Sequence, residues 1–120
     1  MKSVQEIVNV ISLSTGTDDY HTFSPIPGSP VITDGVLALA EELGCYWLLD
    51  IIGSHQSNKK LAKAFQVWHL NVNTDNGSAI VRGYNDKTLI VTQKIEYTDF
   101  PLEDLKLYLI NGVIMLPSEY

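Results

Sequence analysis

Apolar residues recur at helical spacing in the first half of the chain. Between Val4 and Ile11 they fall at i, i+3, i+4 and i+7, which predicts a short amphipathic helix. A longer helical pattern covers Thr33–Ser54, and Thr33 or Asp34 can cap its start. Gly44 is expected to divide this stretch into two helices, because glycine readily adopts the left-handed conformation that ends a helix.

After residue 58 the pattern changes to that of β-strands. Phe65–Val72, Ala79–Tyr84 and Thr88–Tyr97 are rich in β-branched and aromatic residues, and the last of them alternates well between apolar and polar positions. Turn-forming residues separate these segments at Asn73–Gly77 and Asn85–Asp86. The second half of the chain is therefore predicted to be an antiparallel sheet.

The segment from Leu102 to Ile110 fits two patterns. Its leucines have helical spacing, but they also alternate, and Asn111–Gly112 stands between two apolar runs. Because Asn-Gly is a strong hairpin-turn signal, we favour a hairpin of Lys106–Ile110 with Val113–Leu116 over a helix.

The order of these patterns predicts a single α+β domain over residues 1–120, with N-terminal helices packed on a C-terminal antiparallel sheet of about five strands in a meander. Ser14–Pro30 interrupts the helices with several prolines and glycines, so no long element fits there. A loop of this length is either a binding loop or a surface loop without a function, and the sequence leaves both interpretations open.

Composition and charge narrow the function classes. Hydrophobic residues make up 45% and charged residues 18% of the 120 residues, which is typical of a folded globular chain. The net charge of −6 disfavours binding to nucleic acid or to an anionic membrane surface. The single cysteine, Cys45, excludes an intrachain disulfide and a cysteine-based metal site. No apolar run is long enough for a signal peptide or a membrane span, so the expected location is the cytoplasm.

A few polar residues could carry chemistry. Asp19 and His21 in the irregular segment, with Asp50 and His55 on the second helix, are the candidates for a cleft that acts as an enzyme site or binds a small ligand. The alternative for His55 is structural, because a histidine near a helix C-terminus interacts favourably with free carbonyl groups. Histidine pairs at metal-binding offsets, phosphate-binding glycine loops and serine-hydrolase motifs are missing, so we expect neither a metal nor a cofactor.

Other residues of these types are given structural roles. His69 is expected on a strand with one edge exposed, and Cys45 in the core. Asp50 lies in a very apolar helix and must be paired if it is buried, so Asp50→Ala is expected to destabilise more than any other acidic substitution. Tyr120 is expected to dock on the sheet or on a partner subunit.

Several short sequence motifs resemble those of a family of small uncharacterised bacterial and phage proteins. The most distinctive is YWLLDxIxSHQ at Tyr46–Gln56, followed by FQVW at Phe65–Trp68, YTDFPL at Tyr97–Leu102 and LPSEY at Leu116–Tyr120. The resemblance covers nearly the whole chain in the same order. It implies no activity, and it suggests at most an accessory role in mobile elements.

Three functions fit the sequence. The first is a non-catalytic interaction module that binds another protein or itself as a homodimer, since a small sheet with helices on one face leaves an open face or edge for pairing. The second is an enzyme or ligand binder that uses the candidate residues above. The third is an acidic accessory protein of a mobile element that mimics nucleic acid.

Overall fold

The computed structural model describes residues 20–24, 29–62 and 64–120. The predicted helix at Val4–Ile11 lies outside these residues, as does Asp19. The described chain is an α+β fold with two helices and a seven-stranded sheet. No helix within it combines the length and the hydropathy needed to cross a membrane.

The two helices begin and end where the local sequence predicts. Helix α1 spans Asp34–Leu43, and Thr33 caps it by accepting a hydrogen bond from the backbone N–H of Val36 at 3.3 Å. Gly44 ends it in the left-handed conformation, with φ of 64°. Helix α2 spans Tyr46–Ser54 and continues into a 3-10 turn at His55–Ser57.

The sheet is mixed, and its strands are not in sequence order. The seven strands are β1 (Tyr20–Thr22), β2 (Val31–Thr33), β3 (Gln66–Val72), β4 (Ala79–Asn85), β5 (Thr88–Ile95), β6 (Asp104–Ile110) and β7 (Val113–Met115). Their order across the sheet is β1-β2-β7-β6-β3-β4-β5. Among these described strands β2 and β7 run parallel, and all other neighbours are antiparallel.

The predicted meander was therefore wrong, and the described helices are not clearly N-terminal to the sheet. Strands β1 and β2 precede the helices, and each has only three residues, too few to show a period-two pattern. Strands β3, β4 and β5 are joined by hairpins, but β6 returns to pair with β3, which makes these four strands a Greek key. The sheet has seven strands instead of about five.

The hairpin of β6 with β7 confirms the preference for a hairpin of Lys106–Ile110 with Val113–Leu116 over a helix, although β6 begins two residues earlier, at Asp104, and β7 ends at Met115. Asn111 and Gly112, which connect the two strands, have φ of 49° and 83°. Two positive φ values in a two-residue loop are the signature of a type I′ turn, for which Asn-Gly is the favoured pair. The carbonyl of Gly112 also accepts a 2.9 Å hydrogen bond from Val31, which ties β2 to this turn.

One face of the sheet carries the core. Alternate side chains of β3, β4 and β6, including Trp68, Leu70, Val81 and Leu107, are buried together with the inner residues of both helices. The opposite face, which we call the open face, carries the other alternate residues: Val67, His69 and Asn71 of β3, Ile80, Arg82 and Tyr84 of β4, and Lys106 and Tyr108 of β6. Their side chains are partly or fully exposed.

Candidate functional site

The most buried polar side chain is Gln66, at the start of β3 beneath the end of α2. It is 0% exposed, and its amide makes four hydrogen bonds. Its Oε1 accepts from Gln56 Nε2 at 3.0 Å and from Trp68 Nε1 at 2.9 Å. Its Nε2 donates to Gln56 Oε1 and to the carbonyl of Ala62, both at 2.9 Å. This uses the full capacity of a primary amide, so the group is satisfied although it is buried.

His55 links the Gln66–Trp68 network to strand β5. Its ring stacks on Trp68, with 5.9 Å between the ring centroids and 25° between the planes, and its Nε2 lies 2.7 Å from Gln93 Oε1 on β5. Gly83 lies beneath the indole: a Cβ there would be 2.7 Å from the Trp68 ring. His55 therefore fixes α2 against the sheet.

The SHQ and FQVW segments thus meet in space. Gln56 comes from the first and Gln66 and Trp68 from the second, and together they join α2 to β3. Within the described part of the chain, every buried side-chain nitrogen or oxygen has a hydrogen-bond partner. The cluster therefore forms a hydrogen-bonded network between α2 and β3.

The other predicted site residues lie elsewhere. His21 on β1 places Nε2 2.6 Å from Oδ1 of Asp34, the first residue of α1. Asp50 is exposed on α2, which removes the reason to expect a buried, paired carboxylate there. Among the described residues, no hydrogen bond joins His21, Asp50 and His55 to one another, and no group of three or more His, Cys, Asp or Glu side chains is placed to hold a metal ion.

Cys45 lies in the core, as expected from the sequence. It is 2% exposed, and desolvation raises the pKa of its thiol to about 11. Because the thiolate is the reactive form, this cysteine is a poor nucleophile near neutral pH.

Glu119, which no local sequence pattern indicates as important, contacts the start of α1. Its carboxylate accepts hydrogen bonds from the Thr33 hydroxyl at 2.7 Å and from the backbone N–H groups of Gly35 and Leu116 at 3.3 and 3.0 Å. A carboxylate at a helix N-terminus is favoured by the free N–H groups and by the helix dipole. Tyr120, expected to dock on the sheet, makes edge contacts with Phe65 and with Tyr108 on the open face.

A second missed feature is a row of cationic side chains on the open face. The strand registers place Lys106 beside His69 and His69 beside Arg82, on three adjacent strands. Lys94 of β5 lies on the same face, opposite Ile80, and Lys87 lies in the turn between β4 and β5. No two of these positions are adjacent in sequence, so only the register brings them together.

Among the described residues, no lysine or arginine of this row lies within 4.0 Å of a carboxylate. The one close contact with an acid on this face is between His69 Nε2 and Asp104 Oδ1, at 3.5 Å. Arg82 donates instead to the neutral side-chain amide of Asn71, at 3.2 Å. Residues 34–54, which form the helical side, contain four acidic residues and no lysine or arginine. The net charge of −6 is therefore unevenly distributed, because residues 34–54 carry only acidic charges and the lysines and arginine of the row lie on the open face.

A shallow cavity of about 280 Å³ opens in this region of the open face. Its lining residues are Val67, His69, Tyr84, Asp86, Lys87 and Lys106. A second, larger depression of about 420 Å³ lies between the 73–78 and 97–101 loops and is lined by polar loop residues and Tyr97. None of the residues that line this second depression is cationic.

These features define an α+β fold with a hydrogen-bonded internal polar network and, within the described residues, one sheet face on which no helix packs. The chain belongs to a family of unknown function, DUF6876, whose model matches residues 5–120. No curated protein and no solved structure matches it significantly.

Proposed function

We propose that the protein is a non-catalytic interaction module that forms a homodimer through the edge strand β5. The candidate catalytic residues support a non-catalytic role, because His21 and His55 are held in separate structural contacts and Asp50 is exposed on α2. We propose the cytoplasm as its location, consistent with a lone buried cysteine.

The observation that carries the proposal is the form of β5. It has eight residues and ends the sheet of the described chain, whereas the opposite edge strand, β1, has three. Leu89 on β5 is 49% exposed. A long edge with an exposed apolar residue favours pairing with another strand, and two identical antiparallel edges can pair about a two-fold axis.

Charge argues for the edge over the open face as the dimer contact. Two open faces packed together would oppose their cationic rows, which costs free energy unless anions intervene. On β5 the only charged side chain is Lys94, the next-to-last residue of the strand.

The oligomeric state of the full chain tests this proposal. Light scattering coupled to size exclusion is expected to give a dimer for the wild type and a monomer for the double variant Leu89→Lys, Thr92→Lys, because four added charges then meet at the contact. The matched control is Tyr20→Lys with Thr22→Lys on the β1 edge, where both residues are also exposed; this variant is expected to remain a dimer. A monomeric wild type, or loss of the dimer in the β1 variant alone, would contradict the proposal.

Hydrogen exchange separates a partner copy from another segment of the same chain. The β5 amides are expected to become less protected as the protein is diluted through the dissociation range. Protection that is independent of concentration would mean that the edge is covered within one chain, and would overturn the dimer.

A further inference from the structure

We propose that the cavity on the open face binds a nucleoside monophosphate. This site is separate from the β5 contact and does not depend on it. The cavity combines cationic side chains, an aromatic ring, an apolar floor and a single carboxylate within about 280 Å³.

Lysine and histidine side chains line the cavity from the strands and from the adjacent turn. Lys106 and His69 lie on neighbouring strands and Lys87 in the adjacent turn. Strands are roughly 4.8 Å apart, so side chains on neighbouring strands can contact the oxygens of one phosphate group. Neither lysine lies within 4.0 Å of a carboxylate of the described chain, so an anion that binds the lysines displaces no lysine ion pair, whereas His69 Nε2 already lies 3.5 Å from Asp104 Oδ1.

The remaining lining residues indicate what the anion is attached to. Val67 and Tyr84 give the cavity an apolar floor and an aromatic ring, and aromatic side chains stack on nucleobases of any sequence. Asp86 places an acceptor at the rim, where it can bind a ribose hydroxyl or an exocyclic amine. An anion alone would use only the cations, whereas a nucleoside monophosphate would use all three features.

Size and overall charge favour a small ligand over a polymer. The cavity is at or below the lower end of the usual range for ligand sites, roughly 300–1,000 Å³. The net charge of −6 and the wholly acidic charges of residues 34–54 repel a long polyanion, while a single nucleotide responds mainly to the local cations. The charge-based expectation against nucleic acid is thus compatible with this site.

The test is a titration of the full-length protein, followed by amide and side-chain NMR shifts and by calorimetry. The ligands are AMP, GMP, CMP and UMP, with adenosine, inorganic phosphate and phenyl phosphate as partial ligands. We expect saturable shifts at Val67, His69, Tyr84 and Lys106 with at least one monophosphate, and affinity at least about tenfold lower for each partial ligand, since each lacks an interaction worth roughly 1.4 kcal/mol.

Variants locate the site. Lys106→Gln and Lys87→Gln are each expected to weaken monophosphate binding about tenfold, as the loss of one charge-assisted hydrogen bond predicts. The matched control is Lys94→Gln, which removes a cation from the same face outside the cavity and is expected to change affinity less than about twofold, because it contacts no ligand atom. Tyr84→Leu retains an apolar side chain but has no ring on which a base can stack. It is expected to weaken the binding of nucleotides more than the binding of inorganic phosphate.

Three outcomes would overturn the proposal. The first is no saturable binding of any of the four nucleotides. The second is equal affinity for inorganic phosphate and the nucleotides, which would mean a simple anion site. The third is tighter binding of a 5′-phosphorylated ten-nucleotide single strand than of the monophosphates, with Lys94→Gln weakening that binding as much as Lys106→Gln does. This would mean that a nucleic-acid strand binds along the whole open face.

Discussion

At the scale of single residues, the Trp68 side chain is held by contacts of several kinds. Its indole N–H is bonded to Gln66, one ring face is stacked by His55, and the ring lies within 3 Å of the position that a Cβ at Gly83 would occupy. The ring is therefore held from several directions and cannot move aside without breaking another contact. A glycine in the middle of a strand, usually a weakness, is required at position 83 by the closeness of the indole.

This geometry predicts that Gly83→Ala is destabilising. The added methyl group must displace the indole, and overpacking of this kind costs about 1–3 kcal/mol in the free energy of unfolding, measurable by denaturant titration. The matched control is Gly53→Ala in α2, where a Cβ would lie 3.6 Å from the Phe23 ring, an ordinary contact. That variant is expected to be neutral or stabilised by up to ~1 kcal/mol, because alanine is the better helix former. Equal effects of the two substitutions would contradict the close packing of the Trp68 ring on Gly83.

Cys45 gives a prediction about pH. Burial raises the pKa of its thiol to about 11, above the value in the unfolded chain, so the unfolded state loses this proton first as the pH rises. The stability due to the protonated thiol is complete below the unfolded pKa and is lost as the pH rises towards about 11, by up to about 2 kcal/mol. Denaturant titrations at about pH 8 and about pH 10.5, on either side of the unfolded pKa, should show a larger loss for the wild type than for Cys45→Ala. Parallel pH dependence in the two proteins would exclude a perturbed thiol.

At the scale of elements, local sequence signals predict how a helix or turn begins and ends, but not its distant partners. The cap at Thr33, the break at Gly44 and the Asn111–Gly112 turn depend on neighbouring residues, so the sequence predicts them. The second contact of Thr33 is with Glu119, 86 residues away, and no local pattern indicates it. Strands β1 and β2 are missed for the same reason, because three-residue strands are defined by their neighbours in the sheet.

The start of α1 corrects the expectation about acidic residues. Asp50 is exposed, whereas Glu119 accepts three hydrogen bonds that join α1 to the segment after β7. Glu119→Ala is therefore expected to lower the free energy of unfolding by about 1–3 kcal/mol, since it leaves partly buried donors unpaired. Asp50→Ala is the control and should change it by no more than about 0.5 kcal/mol. Thermal or denaturant unfolding of both variants decides between the two carboxylates, and a larger loss for Asp50→Ala would make Asp50 the more important of them.

At the scale of the whole molecule, register explains why the candidate surface could not be predicted from the sequence. Alternation predicts that Arg82, Lys94 and Lys106 point to one side of their strands, but it cannot say which strands are neighbours. A meander would have placed β5 beside β6 and separated Lys106 from His69. In the Greek key β6 instead lies beside β3, which brings Lys106 next to His69 and Arg82 and creates the cationic row.

The same topology predicts the order in which the molecule opens. Strand β3 is paired along nearly its whole length on both sides, with β4 and β6, so its amides exchange only when the sheet separates. Strand β1 has three residues and, in the described chain, a single neighbour, β2, so it is expected to exchange fastest of the strands. Native-state hydrogen exchange at low denaturant should therefore find the slowest amides in Gln66–Val72, with a free energy of exchange close to that of global unfolding. If β1 were as protected as β3, the sheet would open as one unit, and the central position of β3 would not determine its stability.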